Sequence, residues 1–348
     1  MITRRTALTV TAGAFLAGRG FSAEAMRNIG GAPAGFPIRT RAARGRGETF
    51  DVVEHCHELG LGVVETRLSS TEPAAIGALR RRIEDWGMRL ILDVGYPRDE
   101  AGVAEFEARV KAAKECGAVS LHAAMTGRRY EDLDSLDAFK RDFARCRNSI
   151  ALAEPVLRRH RIRLGIENHK GWRSAEQAAW LRSVGSEWLG VHFDFGNNIS
   201  LCEDPAETLR NLLPFAVACH LKDMAVAPYE DGFLLSEVAL GEGVLDLPAM
   251  VAALRAHDPR IPLDLEIITR DPLKIPVFTD KYWATFDDSF SPLPGRDLAR
   301  TLVLVRKRGW TKPLPHLAGL TPAQQLAEED AGIGRSLEYA RKHLDAPG

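Results

Sequence analysis

Four residues of metal-ligating type stand at the ends of successive apolar segments: Glu167 in LGIENH, Asp194 in GVHFDFGN, His220 in VACHLKD and Glu266 in LDLEII. Together they form an oxygen-rich ligand set, which suits Mn²⁺, Mg²⁺, Co²⁺ or Zn²⁺ better than a metal that prefers thiolates. Acidic side chains are costly in a protein interior unless they are paired or bind a metal. The pattern therefore predicts a divalent-metal site, whose chemistry would be the polarisation of a carbonyl group.

The spacing of these residues is typical of repeated strand and helix units. The first two gaps each fit one strand, loop and helix, and the longer gap before Glu266 leaves room for a loop insertion. Eight strand-like segments alternate with amphipathic helical patterns, near residues 27–31 and at 62–68, 88–95, 118–124, 162–168, 189–195, 216–221 and 262–268. This alternation predicts an α/β protein with a single (β/α)8 TIM barrel.

Helices are predicted at residues 50–59, 73–86, 101–116, 136–160, 174–184, 205–213, 247–257 and 296–308. Two regions exceed a minimal barrel: a polar and aromatic loop at 224–243, and a Pro-rich stretch at 271–294. We place the barrel at residues 26–312 and a C-terminal helical extension at 313–348, with a helix predicted from about residue 322 to 344.

The bulk composition indicates one catalytic domain that acts on a small molecule. The 348-residue chain is 45% hydrophobic and can bury one barrel with extensions. With 46 basic and 47 acidic residues it has no electrostatic footprint for nucleic acid. Five cysteines without CxxC spacing indicate neither a disulfide framework nor a thiolate metal site.

The first 25 residues resemble a twin-arginine export signal. Arg4 and Arg5 precede an apolar stretch at residues 7–18, and the Ala-Glu-Ala at 23–25 offers a cleavage site. We expect a periplasmic mature protein with no stable membrane insertion after signal removal, the alternative being a retained N-terminal anchor. An exported enzyme would rarely meet sugar phosphates, which favours free sugars or glycosides.

Strand alternation predicts which side chains face the barrel interior. Inward Glu167 and inward Asp194 imply that His192 also points inward, and strand eight turns Asp264 and Glu266 to the same side. All four candidate ligands then lie at the carboxyl-terminal mouth, where barrel enzymes do chemistry. Glu167 and Glu266 would approach a substrate from different sides and exchange protons with it. The alternative is that some acids pair with arginines, as Asp264 could with Arg163.

Two further residues have two interpretations each. His122, at the end of strand four, would line the pocket and contact substrate, or simply pack. Lys222 would contact substrate oxygens, or merely pair with Asp223.

The chain resembles the xylose-isomerase-like TIM barrels, which include sugar isomerases, sugar epimerases, dehydratases and endonuclease IV. The resemblance covers about residues 26–310 and rests on the segments IENH, HFDFGN, HLKD and LEI and on the turn at 241–243. It implies that one divalent ion, often Mn²⁺, is held by Glu167, Asp194, His220 and Glu266, and that the two Glu act as acid and base. It also implies a sugar substrate and a possible homo-oligomer.

The resemblance has departures that affect the expected product. Many epimerases of this family carry a His where this chain has Asn197, so a predicted substrate contact is altered. The segment ENHKGWR resembles the 3-keto-glycoside lyases of the superfamily, which implies His169 as a general base and Trp172 and Arg173 as substrate-binding residues.

The sequence supports three hypotheses about function. The leading hypothesis is a metal-dependent sugar isomerase or epimerase that removes a proton beside a carbonyl and forms a metal-stabilised enediolate. The alternatives are a 3-keto-glycoside β-eliminase that uses the same metal site, and a non-catalytic sugar-binding barrel. The nuclease branch, which needs a basic groove and more His ligands, is disfavoured.

Overall fold

The computed structural model describes Met26 and residues 28–344, so the predicted export signal lies outside the described part of the chain. Within it the strands are β1 (Ile29–Gly31), β2 (Val63–Arg67), β3 (Arg89–Asp93), β4 (Ser120–Ala123), β5 (Leu164–Glu167), β6 (Leu189–Asp194), β7 (Ala216–Leu221), β8 (Asp223–Tyr229), β9 (Gly232–Val238), β10 (Leu263–Leu265) and β11 (Leu273–Ile275). Strands β1 to β7 and β10 are parallel and close into a barrel in the order β1-β10-β7-β6-β5-β4-β3-β2. The eight predicted strands and the TIM-barrel fold are confirmed.

Most of the described helices lie between successive barrel strands, as expected for this fold, and three follow the last barrel strand, β10. They are α1 (Pro37–Gly45), α2 (Val52–Glu58), α3 (Pro73–Asp85), α4 (Val103–Glu115), α5 (Arg129–Asp132), α6 (Leu136–His160), α7 (Ser174–Val184), α8 (Pro205–Leu212), α9 (Leu247–His257), α10 (Asp280–Trp283), α11 (Gly295–Arg308) and α12 (Pro322–His343). Capping residues fix several starts: Asp51, Ser135 and Asp204 each accept a hydrogen bond from the backbone N–H three residues on.

The apolar side chains of the barrel strands lie in two places, outside the barrel against the helices and inside the barrel. The outward faces of the strands join the helices in one large apolar core, whereas Val63, Ile91 and Ala218 form a small cluster inside the barrel. Above this apolar layer the inward positions are polar. Asp194 pairs in register with His220, and His220 in turn with Asp264, so neighbouring strands bring these side chains to one level.

The predicted loop at residues 224–243 is instead largely an antiparallel hairpin, and this part of the prediction was wrong. Strands β8 and β9 pair along their whole length, and β11, from the Pro-rich stretch, adds to β9. The turn lies at Glu230 and Asp231, and Gly232, the first residue of β9, pairs with Tyr229. Gly232 has a φ of 155° and faces the backbone of Ile275, so a side chain there would collide.

The C-terminal helix α12 caps the first helix of the barrel. The Glu329 carboxylate accepts hydrogen bonds from the backbone N–H groups of Ile38 and Arg39, at 2.7 and 2.9 Å. These donors belong to the first turn of α1, whose own N-cap residue, Phe36, offers no side-chain hydrogen bond. A distant part of the chain therefore accepts hydrogen bonds from N–H groups at the start of α1 that the N-cap residue leaves without a side-chain acceptor. No helix of the described residues is long and apolar enough to cross a membrane.

Replacing Glu329 by Ala should lower the free energy of unfolding by about 1–3 kcal/mol, because one buried and one partly buried backbone donor lose their acceptor. Chemical denaturation followed by circular dichroism measures the loss. The matched control is Glu328→Ala, since Glu328 is exposed on the same helix. Equal stability of the two variants would contradict the capping role of Glu329.

Candidate metal centre

Three of the four predicted ligands meet at the ends of adjacent strands. Glu167, Asp194 and His220 end or nearly end β5, β6 and β7, and one ligand atom of each lies within 4.8 Å of the others. All three side chains are buried. Asp194 Oδ1 and His220 Nδ1 have no hydrogen-bond partner. Unpaired buried donor atoms in an oxygen-rich cluster fit a divalent cation, as predicted from the residue types.

The fourth predicted ligand, Glu266, follows β10 and borders this group. Its Oε2 lies 3.5 Å from His220 Nδ1 and 2.6 Å from Lys222 Nζ. Lys222 Nζ also lies 2.9 Å from Asp194 Oδ2, so the ammonium group bridges two of the candidate ligands. Lys222 is therefore part of the centre.

The predicted alternative, in which Lys222 pairs with Asp223, is not what the structure shows. Asp223 instead accepts hydrogen bonds from four backbone N–H groups, those of Met224, Gly241, Gly243 and Leu245. Burial raises the pKa of Asp223 to about 6, although these four donors oppose the shift. Asp223 thus fastens the turn at residues 241–243 to the start of β8.

Charge compensation decides the protonation of the centre. Burial raises the pKa of Asp194 well above its usual value, with Glu266 and Glu167 reinforcing the rise and Lys222 and His220 opposing it. Burial also disfavours an ionised Glu167, but the neighbouring imidazoles of His169, His122 and His220 hold its pKa well below the usual range. Glu167 is therefore an ionised carboxylate inside the barrel.

A second set of side chains lies beside the first, and one of its members, Glu65, was missed by the sequence prediction. Glu65, on β2, reaches across the barrel: its Oε2 is 3.0 Å from His220 Nε2, and its Oε1 is 3.1 Å from His122 Nδ1. His122 Nε2 lies 3.3 Å from Glu167 Oε2, which links the two sets. The inward alternation of β2 was the available signal for Glu65.

The imidazoles of this second set differ in charge. Burial disfavours a charged His122 and a charged His220. Glu65 and Glu167 nevertheless raise the pKa of His122 well above its usual value. Glu266 and Glu65 raise the pKa of His220 to about 10. Burial and the neighbouring imidazoles lower the pKa of His192 well below its usual value, so this ring is neutral.

Asp264 lies inside the barrel without a partner. Neither carboxyl oxygen has a hydrogen-bond partner, so the suggested pairing with Arg163 is not formed. Burial, reinforced by Glu65, raises the pKa of Asp264 to about 8. Gly30 makes the space, because a Cβ there would lie 2.6 Å from Asp264 Oδ1.

The loop after β5 and the segment after β6 meet at Asn197. Its amide group donates to Asp194 and, at 3.3 Å, to Glu167, and its oxygen accepts from Lys170 Nζ. Burial and the charge of Lys222 lower the pKa of Lys170 to about 8. Lys170 was missed, since a lysine in a polar loop gives no sign that it is buried.

His169 is held in one tautomer. Its Nδ1 donates to the carbonyl oxygen of Thr126 at 2.7 Å, which leaves Nε2 with the lone pair. Burial lowers the pKa of His169. A neutral imidazole with a free lone pair can act as a proton acceptor.

The two other loop residues predicted to bind substrate have structural partners. Arg173 pairs with Asp297 at 2.7 Å and donates to the carbonyl oxygen of Pro292 at 2.6 Å. Trp172 packs edge-on against Trp180 and Phe143. These contacts favour anchoring and packing roles rather than substrate contact.

The inserted hairpin also contributes to the centre. Glu237 on β9 lies 4.0 Å from Lys222 Nζ and is held by two hydrogen bonds from Arg270, at 2.9 and 2.6 Å. Burial disfavours its ionisation, but Arg270 and Lys222 keep its pKa lowered. The hairpin thus places an anion beside the predicted ligands.

The chain belongs to the xylose isomerase-like TIM barrel family, whose model matches residues 53–284. A D-psicose 3-epimerase structure solved in the presence of D-fructose is similar in fold, with a TM-score of 0.54 at 16% identity over 84% of this chain and 93% of that one. A family member from Mycobacterium smegmatis in complex with magnesium has a TM-score of 0.51 at 16% identity, covering 81% of this chain and all of that one.

A curated relative is the 3-oxo-isoapionate decarboxylase of Pectobacterium atrosepticum. It is 30% identical over 109 residues, which is 31% of this chain. The matched segment spans only 40% of that relative's length. The comparisons therefore show a xylose isomerase-like TIM barrel, and the buried group of Glu167, Asp194 and His220 is its candidate metal centre.

Replacing Asp264 by Asn should make the folding stability of the protein less sensitive to rising pH. The folded pKa of about 8 lies above the usual carboxyl value, so the folded state holds a proton that the unfolded state releases. Stability due to this group is present at low pH and is lost between about pH 4 and pH 8, by at most about 1.4 kcal/mol per pH unit. Denaturation of parent and variant at several pH values measures the difference. The control is Asp85→Asn, since Asp85 is exposed. If the stability of Asp264→Asn had the same pH dependence as that of the parent protein, the raised pKa of Asp264 would be contradicted.

Proposed function

We propose that this protein is a divalent-metal-dependent isomerase or epimerase that removes a proton beside the carbonyl group of a sugar. The observation that carries the proposal is the buried cluster of Glu167, Asp194 and His220, with Glu266 beside it. Its unpaired oxygen and nitrogen atoms fit a metal, and Glu266 would act on a substrate bound there.

Glu167, Asp194, His220 and Glu266 would hold the cation, for which Mn²⁺ is the favoured candidate and Mg²⁺, Co²⁺ or Zn²⁺ are alternatives. When bound, it would polarise the sugar carbonyl and make the neighbouring C–H group more acidic. A small-molecule sugar is the proposed partner, and a homo-oligomer is possible by family resemblance.

The two glutamates are suited to exchange protons with a substrate from different directions. They extend from β5 and from the end of β10, which flank β6 and β7 in the barrel. Glu167 is ionised and can accept a proton. Lys222 fixes Glu266 through a 2.6 Å contact, and Asn197 does the same for Glu167 and Asp194.

A second candidate is β-elimination from a 3-keto-glycoside. His169 favours it, because its Nδ1–H is held by Thr126 and its Nε2 is free to accept a proton from a sugar carbon. The relative named 3-oxo-isoapionate decarboxylase acts, by its name, on a 3-oxo compound, which supports the same substrate class. A non-catalytic sugar-binding barrel is the third candidate.

Purified protein should contain about one divalent ion, and Glu167→Gln and His220→Ala should each lose most of it, because each removes a ligand. Elemental analysis after dialysis measures the content. Glu58→Gln is the matched control, since Glu58 is exposed on α2. If Glu167→Gln and His220→Ala both kept the metal content of the parent protein, the proposed centre would be contradicted.

Free ketohexoses in deuterated water should exchange a carbon-bound proton when the protein is added, and a new epimer or isomer should appear. Mass spectrometry and NMR detect both. Release of aglycone from a 3-keto-glucoside, without epimer formation and with loss of that release in His169→Gln, would favour the eliminase instead. A binding protein would show neither exchange nor product.

A further inference from the structure

A second group of ligand-type side chains lies beside the proposed centre. Glu65, His122, His192 and His220 come from four different strands, and one ligand atom of each lies within 4.8 Å of the others. All four residues are buried. We propose that this histidine-rich cluster is a second divalent-cation site, suited to Zn²⁺ or Co²⁺, which competes with the proposed catalytic centre for His220.

His192 distinguishes a cation site from an ordinary hydrogen-bonded network. Its ring is 0% exposed, and neither nitrogen has a hydrogen-bond partner. Leaving a buried polar group unpaired costs about 1–3 kcal/mol. His192 Nε2 lies 3.9 Å from Glu65 Oε2, and its ring centre lies 4.0 and 4.6 Å from those of His220 and His122. A cation between these groups would satisfy the ring.

The backbone brings His192 close to its neighbours. In the strand register His192 lies opposite Glu167 and Ala218, with an irregularity between Val191 and His192. A Cβ on Gly165 would lie 2.9 Å from the backbone nitrogen of His192, so only glycine permits this approach. The ring therefore occupies a position set by the barrel.

The donor chemistry separates the two sites. Three imidazoles and one carboxylate suit Zn²⁺ or Co²⁺, which accept nitrogen ligands in a tetrahedral arrangement. Mg²⁺ prefers oxygen ligands, so it should bind only at the centre formed by Glu167, Asp194, His220 and Glu266.

His220 is shared because it faces both groups. Its Nε2 lies 3.0 Å from Glu65, and its Nδ1 lies 3.5 Å from Glu266. A neutral imidazole has one lone pair for a metal, so His220 serves one cation at a time. This competition rests on the proposed function, whereas the existence of the histidine-rich site does not.

The test is equilibrium dialysis with Zn²⁺ alone, followed by elemental analysis. Asp194→Asn, which removes an oxygen ligand of the proposed catalytic centre, should still bind about one Zn²⁺. Adding His192→Asn should weaken that binding about tenfold or more, and adding His316→Asn should not, because His316 is more than half exposed. Asp194→Asn should bind Mg²⁺ poorly.

Competition has its own readout. Zn²⁺ should displace Mn²⁺ from the parent protein at a lower concentration than from His192→Asn, in which only direct exchange at the proposed catalytic centre remains, as seen by electron paramagnetic resonance of the released Mn²⁺. Equal Zn²⁺ affinity with and without His192, or no Zn²⁺ binding by a folded Asp194→Asn protein, would overturn the second site. Failure of the parent to bind Mn²⁺ or Mg²⁺ would instead overturn the proposed function. Circular dichroism checks folding, and His192→Phe, which keeps an aromatic ring, replaces His192→Asn if the latter unfolds.

Discussion

Mutual charge compensation at the carboxyl ends of the barrel strands is the constraint on which the centre depends. Glu167, Asp194, Glu266 and Lys222 lie within one buried volume, where an unpaired charge would be very costly. Each carboxylate is tolerated because a cationic or imidazole group stands within a few ångströms. Removing one member therefore changes the protonation of the others, and their roles are not separable residue by residue.

Barrel geometry turns this electrostatic requirement into a fixed arrangement. Neighbouring strands align Asp194 with His220 and His220 with Asp264, while the apolar layer of Val63, Ile91 and Ala218 closes the interior beneath. Side chains on a packed barrel have few alternative rotamers, so donor atoms stay oriented before any ligand arrives. The same rigidity holds His192 in place without a hydrogen-bond partner.

Local periodicity in the sequence was enough to predict the barrel strands and the candidate ligands. The eight strands were found because apolar runs repeat at a βα spacing, and the four candidate ligands were chosen because ligand-type side chains stand at strand ends. Glu65 lies inside β2 rather than at its end, so only the alternation of β2 indicated it, and no sequence spacing encodes its contact with His220 across the barrel. The hairpin of β8 and β9 was missed because its polar residues resemble a loop, and the buried state of Lys170 depends on packing between loops.

On the proposed function, substrate choice would reside in those loop-derived parts, because a shared fold does not determine the reaction. Structures at 16% identity share the barrel with this chain. In this chain Lys170 reaches Asn197, His169 is fixed by Thr126, and Glu237 from the inserted hairpin lies 4.0 Å from Lys222. These groups bring extra bases and charges to the candidate centre, and on the proposed function they would decide whether an anion formed there is reprotonated or expels a substituent.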